Sequence, residues 1–257
     1  MSEISRLVTP DSQPLTARLA EAGSRRSELE TLLAAAPGSA GPKQYADLVL
    51  EENVAAKATA VSRTKLLRQL RARYSLDQSL PEFRGFRGAM ACAGSAGERG
   101  LLCFLIMARC DRLFRELSLQ LLQELRRPGS LLDAQAFREA FTAYLEEHGL
   151  HWTEATAALV GRHLLSSLKD FGILSGSTKR RFAPVRPGPI ATSFAARLGY
   201  LEGLTGRQNL GSRWYRLLCL TAVQIPDFLL TAQRAGLLSL RMQADVVELT
   251  LPPEIPA

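Results

Sequence analysis

Eight consecutive apolar residues, Leu101-Leu102-Cys103-Phe104-Leu105-Ile106-Met107-Ala108, form the longest such run in the chain. A helix that is apolar all round must be surrounded on every side by other protein or by lipid. A membrane span needs about 20 apolar residues, and this run is followed at once by Arg109, Asp111 and Arg112. It therefore predicts a helix buried in the middle of a bundle, part of a longer helix from about Glu98 to Arg126 that stops at Pro128-Gly129. Leu and Ala supply most of the apolar mass, and aromatic residues are only 7%, which favours helices over a β-sandwich. With 46% hydrophobic and 22% charged residues, wholesale disorder, collagen and a coiled-coil rod are excluded. The 257 residues allow one large domain or two small ones.

Local signals place further elements. Residues 15–36 read as helical, ended by Pro37-Gly38-Ser39-Ala40-Gly41-Pro42, and a short helix is expected from Lys43 to about Asn53. Thr59 or Ser62 can cap a helix to about Tyr74, with Leu66, Leu67, Leu70 and Tyr74 as one apolar stripe. Lys65, Arg68 and Arg71 point away from it. Asp77 to Gly100 is interrupted by Pro81 and several glycines. Another helix runs from Asp133 to about His148. Thr153 is the expected cap of a helix to about Phe171, with Val160, Leu164, Leu168 and Phe171 inside and Arg162, Ser166 and Lys169 on the outer face. Gly172 ends it. Ile173 and Leu174 begin a strand, Ser175-Gly176-Ser177 turns, and Lys179-Arg180-Arg181-Phe182 returns, with Pro184, Pro187 and Pro189 closing the unit. A helix followed by a short basic hairpin is the outline of a winged helix. The outline recurs at the C-terminal end, where a helix from Pro226 to Arg234 precedes strands Leu237–Met242 and Val246–Leu251 around Gln243-Ala244-Asp245. That second turn lacks a Lys-Arg run, so it is expected to pack or to bind protein.

The net charge is +7, and two segments hold the excess: residues 51–90 carry +4 and residues 154–197 carry +5. Between Asn53 and Leu76 there are six basic side chains and no acid, and between Arg162 and Arg197 there are seven with Asp170 alone against them. Solvated helix faces are the bland explanation. Two stretches so nearly free of acids point instead to an anionic partner. Guanidinium and ammonium groups on a helix face pair with phosphate oxygens. A winged helix needs them both on its groove helix and on its wing. The expected DNA-binding residues are Lys57, Arg63, Lys65, Arg68, Arg71 and Arg73 on the first surface. On the second they are Arg162, Ser166 and Lys169, with Lys179, Arg180 and Arg181 as the wing. No Asn/Gln-plus-Arg code for reading bases is visible.

Other chemistry is weakly signalled. Cys92, Cys103, Cys110 and Cys219 form no Cys-x-x-Cys pair and read as buried apolar residues of a reducing compartment. The first residues hold no apolar signal-peptide core, and a cytoplasmic location is expected. His148 and His151 lack further ligands in register, so a helix end beside a surface loop explains them better than a metal. Gly94, Gly97 and Gly100 lack the Lys-Ser/Thr pair of a phosphate loop. There is no nucleophile elbow and no Cys/His dyad. The expectation is a non-enzyme without cofactor or metal.

The order Glu51-Glu52-Asn53-x-x-x-Lys57-x-Thr59-x-x-Ser62-Arg63, the basic helix through Leu66-Leu67-Arg68 to Arg73-Tyr74, the run at Leu101–Ala108 with Phe114-Arg115-Glu116, and Leu168-Lys169-Asp170-Phe171-Gly172-Ile173-Leu174 before the basic hairpin resemble the BrxA family of BREX bacteriophage-exclusion systems. The resemblance covers roughly residues 15–203. It implies a non-enzymatic, helix-rich protein with winged-helix character that binds double-stranded DNA. It also implies the company of a methyltransferase, an ATPase and a phosphatase-like protein, and no membrane span. The fold expected is mainly α with small β-hairpins, a helical bundle carrying winged helix-turn-helix units. The organisation expected is a flexible terminus at 1–14, an N-terminal helical, winged-helix-like domain at 15–130, a winged-helix domain with basic wing at 131–203 and a helix-hairpin extension at 204–257. The rival readings are an adaptor that assembles other defence proteins and an RNA-binding helical protein.

Overall fold

The computed structural model describes residues 10–243 and 246–252. Among them the chain is mainly helical, with two small antiparallel hairpins. After a 3-10 turn at Ala17–Glu21 come α1 (Arg26–Ala35), α2 (Pro42–Leu50), α3 (Ala60–Tyr74), α4 (Pro81–Cys92), α5 (Ala96–Cys110), α6 (Arg112–Glu124), α7 (Ala134–Glu147) and α8 (Glu154–Asp170). Strands β1 (Leu174–Ser175) and β2 (Arg181–Phe182) follow, then α9 (Pro189–Leu201), α10 (Gly206–Leu210), α11 (Arg213–Leu217), α12 (Ile225–Arg234), β3 (Ser239–Gln243) and β4 (Val246–Thr250). No described helix is long and apolar enough to cross a membrane.

Helix α5 occupies the position its composition demands. Residues 101–108 are all buried, packed against α3, α4, α6 and α9. The single helix expected from Glu98 to Arg126 is in fact two. Asp111 breaks it in an extended conformation (φ −128°, ψ 106°), and its carboxylate accepts the Phe114 N–H at 3.0 Å. An aspartate satisfies a helix start better than it sits in a helix interior, so the junction is a cap and not a kink. The helix expected over 15–36 is likewise divided. Arg25 adopts a left-handed conformation (φ 55°), and residues 22–24 leave the helical path to meet α3 and α8.

Two helices arise where prolines suggested interruption. Pro81 and Pro189 each stand at the first turn of a helix, α4 and α9, where a missing N–H costs nothing and the fixed φ is already helical. The start of α9 is capped from afar by Glu98, whose Oε1 accepts the N–H groups of Ile190 and Ala191 at 2.9 and 3.1 Å. Helix α9 packs against α4 and α5 and also against α11 and α12. It thereby joins the C-terminal helices, with Trp214, Tyr215 and Leu229 fully buried, to the main core.

The first hairpin pairs Leu174 with Phe182 and Ser175 with Arg181. Residues 129–132 lie along the other side of β2. Gly129 N–H donates to Phe182 O at 2.8 Å, Phe182 N–H to Ser130 O at 3.0 Å, and Leu132 N–H to Arg180 O at 2.9 Å. Gly176 makes the turn at φ 81°, where a Cβ would collide with the Lys179 carbonyl. The second hairpin runs in register from Ser239↔Thr250 to Gln243↔Val246. Of the turn expected there, Ala244 and Asp245 lie outside the described residues.

Candidate nucleic-acid interface

Helix α3 begins with a reciprocal cap. Thr59 Oγ1 accepts the Ser62 N–H at 3.1 Å and Ser62 Oγ accepts the Thr59 N–H at 3.2 Å. Leu66, Leu67, Leu70 and Tyr74 are buried, and Lys65, Arg68 and Arg71 are exposed, as the stripe requires. Arg68 reaches Glu21 at 2.7 Å while remaining 66% exposed. Arg71 donates to Pro42 O at 3.1 Å, and Lys65 has no ion-pair partner among the described residues. At the helix entry the cations are more engaged. Lys57 Nζ lies 3.1 Å from Glu28 Oε1, and Arg63 is half-buried and donates to the Leu50 carbonyl.

Arg73 differs from its expected placement on the DNA-facing surface. It is 3% exposed, and its guanidinium donates to Gly23 O at 2.7 Å, Ala22 O at 2.5 Å and Gln69 O at 3.3 Å. Burial pulls its pKa below the ordinary arginine value. The reason is helical phase: position 73 is two turns on from Leu66 and so shares the inward face. Arg73 holds the chain; it does not face solvent.

Helix α8 is capped by Thr153, whose Oγ1 accepts the Thr156 N–H at 3.2 Å. Val160, Leu164, Leu168 and Phe171 are buried, Arg162 and Lys169 are exposed, and Ser166 is half-buried. Ser166 lines a polar depression between α8 and residues 21–28. On that side His163 Nδ1 lies 2.6 Å from Leu19 O, and Ser24 Oγ donates to Asp170 Oδ2 at 2.5 Å. Residues 19–24 therefore run between α3, which grips them through Arg73, and α8. The two basic helices flank one segment.

In the hairpin, Lys179 and Arg181 are exposed and Arg180 is half-buried. Arg181 donates to Gly129 O at 3.1 Å. Arg180 turns into a cleft of about 510 Å3 between α7, α8 and the hairpin, shared with Arg162 and with Arg138. The charge distribution gave no sign of Arg138, because it sits in a near-neutral stretch beside Glu139 and reaches the cleft only through tertiary packing. The only local signal is its place beside Phe137, which is buried on α7.

His148 stacks on Tyr144 with ring centroids 4.1 Å apart, and its Nδ1 lies 2.9 Å from Tyr144 O. No group of three or more His, Cys, Asp or Glu side chains that could hold a metal occurs among the described residues. Burial pushes the Cys103 thiol up to about 12, which suits a packing residue and not a nucleophile. Gly100 allows close approach, since a Cβ there would meet Arg26 Nη1 at 2.6 Å and Phe171 O at 2.8 Å.

No curated protein matches the chain. A family model does, over residues 16–198, which takes in both basic helices and the first hairpin. On that match the chain belongs to the BrxA family.

Proposed function

We propose that this BrxA-family protein is a non-enzymatic component of a BREX phage-defence system that binds double-stranded DNA through its phosphates. It would act beside the system's methyltransferase, ATPase and phosphatase-like protein. The observation that carries the reading is the placement of Lys65, Arg68, Arg71, Arg162, Lys169, Lys179 and Arg181 on solvent-facing sides of α3, α8 and the hairpin. Among the described residues, Arg68 alone of these is in an ion pair. Cations held that loosely are available to phosphate oxygens.

The order α6, isolated bridge from Leu131 to Arg181, α7, α8, β1, β2 supports reading residues 112–182 as a winged helix. In that reading α8 enters the major groove and the Lys179–Arg181 loop grips the backbone. Nothing on the outer face of α8 resembles a base-reading code, so weak sequence preference and steep salt dependence are expected. The test is binding to duplex DNA, single-stranded DNA and RNA across a salt series. Duplex binding that weakens steeply with salt supports the reading. No duplex binding at low salt ends it, and tighter binding to structured RNA transfers the surface to RNA. Joint charge reversal at Lys179, Arg180 and Arg181 that leaves DNA affinity unchanged removes the wing from the interface.

A further inference from the structure

The cleft between α7, α8 and the first hairpin has a floor and a rim of different chemistry. Phe137 and Phe141 stack on the α7 side, centroids 5.9 Å apart at 10°. Gly161 and Leu165 complete the floor from α8. Gly161 lies close under the Phe137 ring, where a Cβ would stand at an ordinary contact distance of 3.5 Å. Three guanidiniums from three elements surround this floor: Arg138 from α7, Arg162 from α8 and Arg180 from the hairpin. Against them stands one lining carboxylate, Glu154, at the far end.

None of the three arginines makes an ion pair within the described residues. Arg138 donates to the neutral amide of Gln135 at 2.5 Å. Arg180 Nε is buried and has no hydrogen-bond partner. A buried charged donor without an acceptor is costly, and an acceptor supplied from outside would relieve it. Along α8 the lining runs from Glu154 to Leu165, about 16 Å of helix at 1.5 Å per residue. That length matches roughly five nucleotides of one strand at about 3.4 Å each.

We infer that this cleft holds one strand of a nucleic acid, with phosphates between Arg138, Arg162 and Arg180 and sugars against the phenylalanine floor. The inference rests on the DNA-binding reading above and adds Arg138, a residue outside both basic stretches, to the interface. Lys179 and Arg181, exposed on the same hairpin, are the sequence neighbours of Arg180. An acidic peptide with apolar anchors is the competing occupant.

The experiment is fluorescence anisotropy of a short labelled duplex, in a salt series, with the full chain and three variants. Arg138 and Ala158 are exposed, so Arg138→Ala and Ala158→Leu leave the core intact, which thermal melts verify. Arg138→Ala is expected to weaken binding about threefold to tenfold at low salt and to make the log K against log [salt] slope shallower by about one. Ala158→Leu, which narrows the cleft without changing charge, is expected to weaken binding with the slope unchanged. Wild-type affinity and slope in Arg138→Ala, while Arg162→Ala lowers both, overturns the inference and leaves DNA binding standing. Loss of an acidic partner protein in Arg138→Ala with DNA binding intact also overturns it and assigns the cleft to that protein. Absence of duplex binding by the wild type ends both readings together.

Discussion

Arg73 separates the structural from the functional arginines of α3, and replacing it with methionine makes the distinction measurable. Methionine keeps most of the apolar stem and removes the guanidinium. The carbonyls of Gly23 and Ala22 then lose donors at 2.7 and 2.5 Å. Hydrogen bonds to a charged group contribute about 1.5–3 kcal/mol each, and Arg73 is 3% exposed, so solvent screens little of that. Two such bonds put the loss at about 3–6 kcal/mol. In a chain of this size each kcal/mol lowers Tm by roughly 2–4 °C, so a fall of roughly 10 °C is expected. Urea denaturation, followed by fluorescence of the fully buried Trp214, reads the stability. The salt slope of DNA binding, measured well below the new Tm, is expected to match the wild type because no phosphate contact is removed. A variant as stable as the wild type with weakened DNA binding would refute the assignment and return Arg73 to the interface.

Three further expectations can be checked with the same protein. The double variant Lys179→Ala/Arg181→Ala is expected to make the salt slope shallower by about two with Tm nearly unchanged; an unaltered slope would place the hairpin loop away from DNA. Gly176→Ala forces a side chain onto φ 81° and into the Lys179 carbonyl, so a loss of about 1–3 kcal/mol and weaker duplex binding are expected, whereas wild-type stability would mean that the turn rearranges freely. Asp11 bonds Arg213 at 2.6 and 2.8 Å. Its pKa is held below the ordinary aspartate value, chiefly through that bond. A depressed carboxylate contributes in full above its unfolded value and loses the contribution as pH falls through the folded one. Amide exchange near residues 11–13 is therefore expected to rise selectively in acid, below about pH 4, and Asp11→Asn should show that faster exchange already at neutral pH. Equal exchange in both proteins would deny the segment this anchor.

Where a feature depends on adjacent residues, the chain announces it. The reciprocal cap at Thr59 and Ser62, the buried stripe of α3, the all-round burial of α5 and the turn at Gly176 all follow from periodicity or from one residue's conformational needs. Features that depend on distant partners are hidden. Asp111 interrupts a run whose hydrophobic period continues on both sides, and its role as a cap depends on the next turn. Pro189 reads as the end of the hairpin unit until Glu98, far away in sequence, supplies one carboxylate oxygen that accepts the next two N–H groups. The same division holds at the candidate interface. Lys65, Arg68, Arg71, Arg162 and Lys169 fall outside because helical phase puts them there. Counting charge without phase placed Arg73 among them. Arg138 could not be found by counting, since only the packing of α7 against α8 brings it to the hairpin.

The segment at residues 19–24 has a mechanical consequence. It is clamped on one side by the buried Arg73 and Tyr74, whose hydroxyl donates to Ser24 O at 2.5 Å. On the other side it is held by His163 and Asp170. Helices α3 and α8 are thus rivets through one plate, and the span between their outward cations is set once, when the chain folds. A ligand touching both would be gauged against a fixed length. A chain of flexible basic arms would instead adapt to whatever it met.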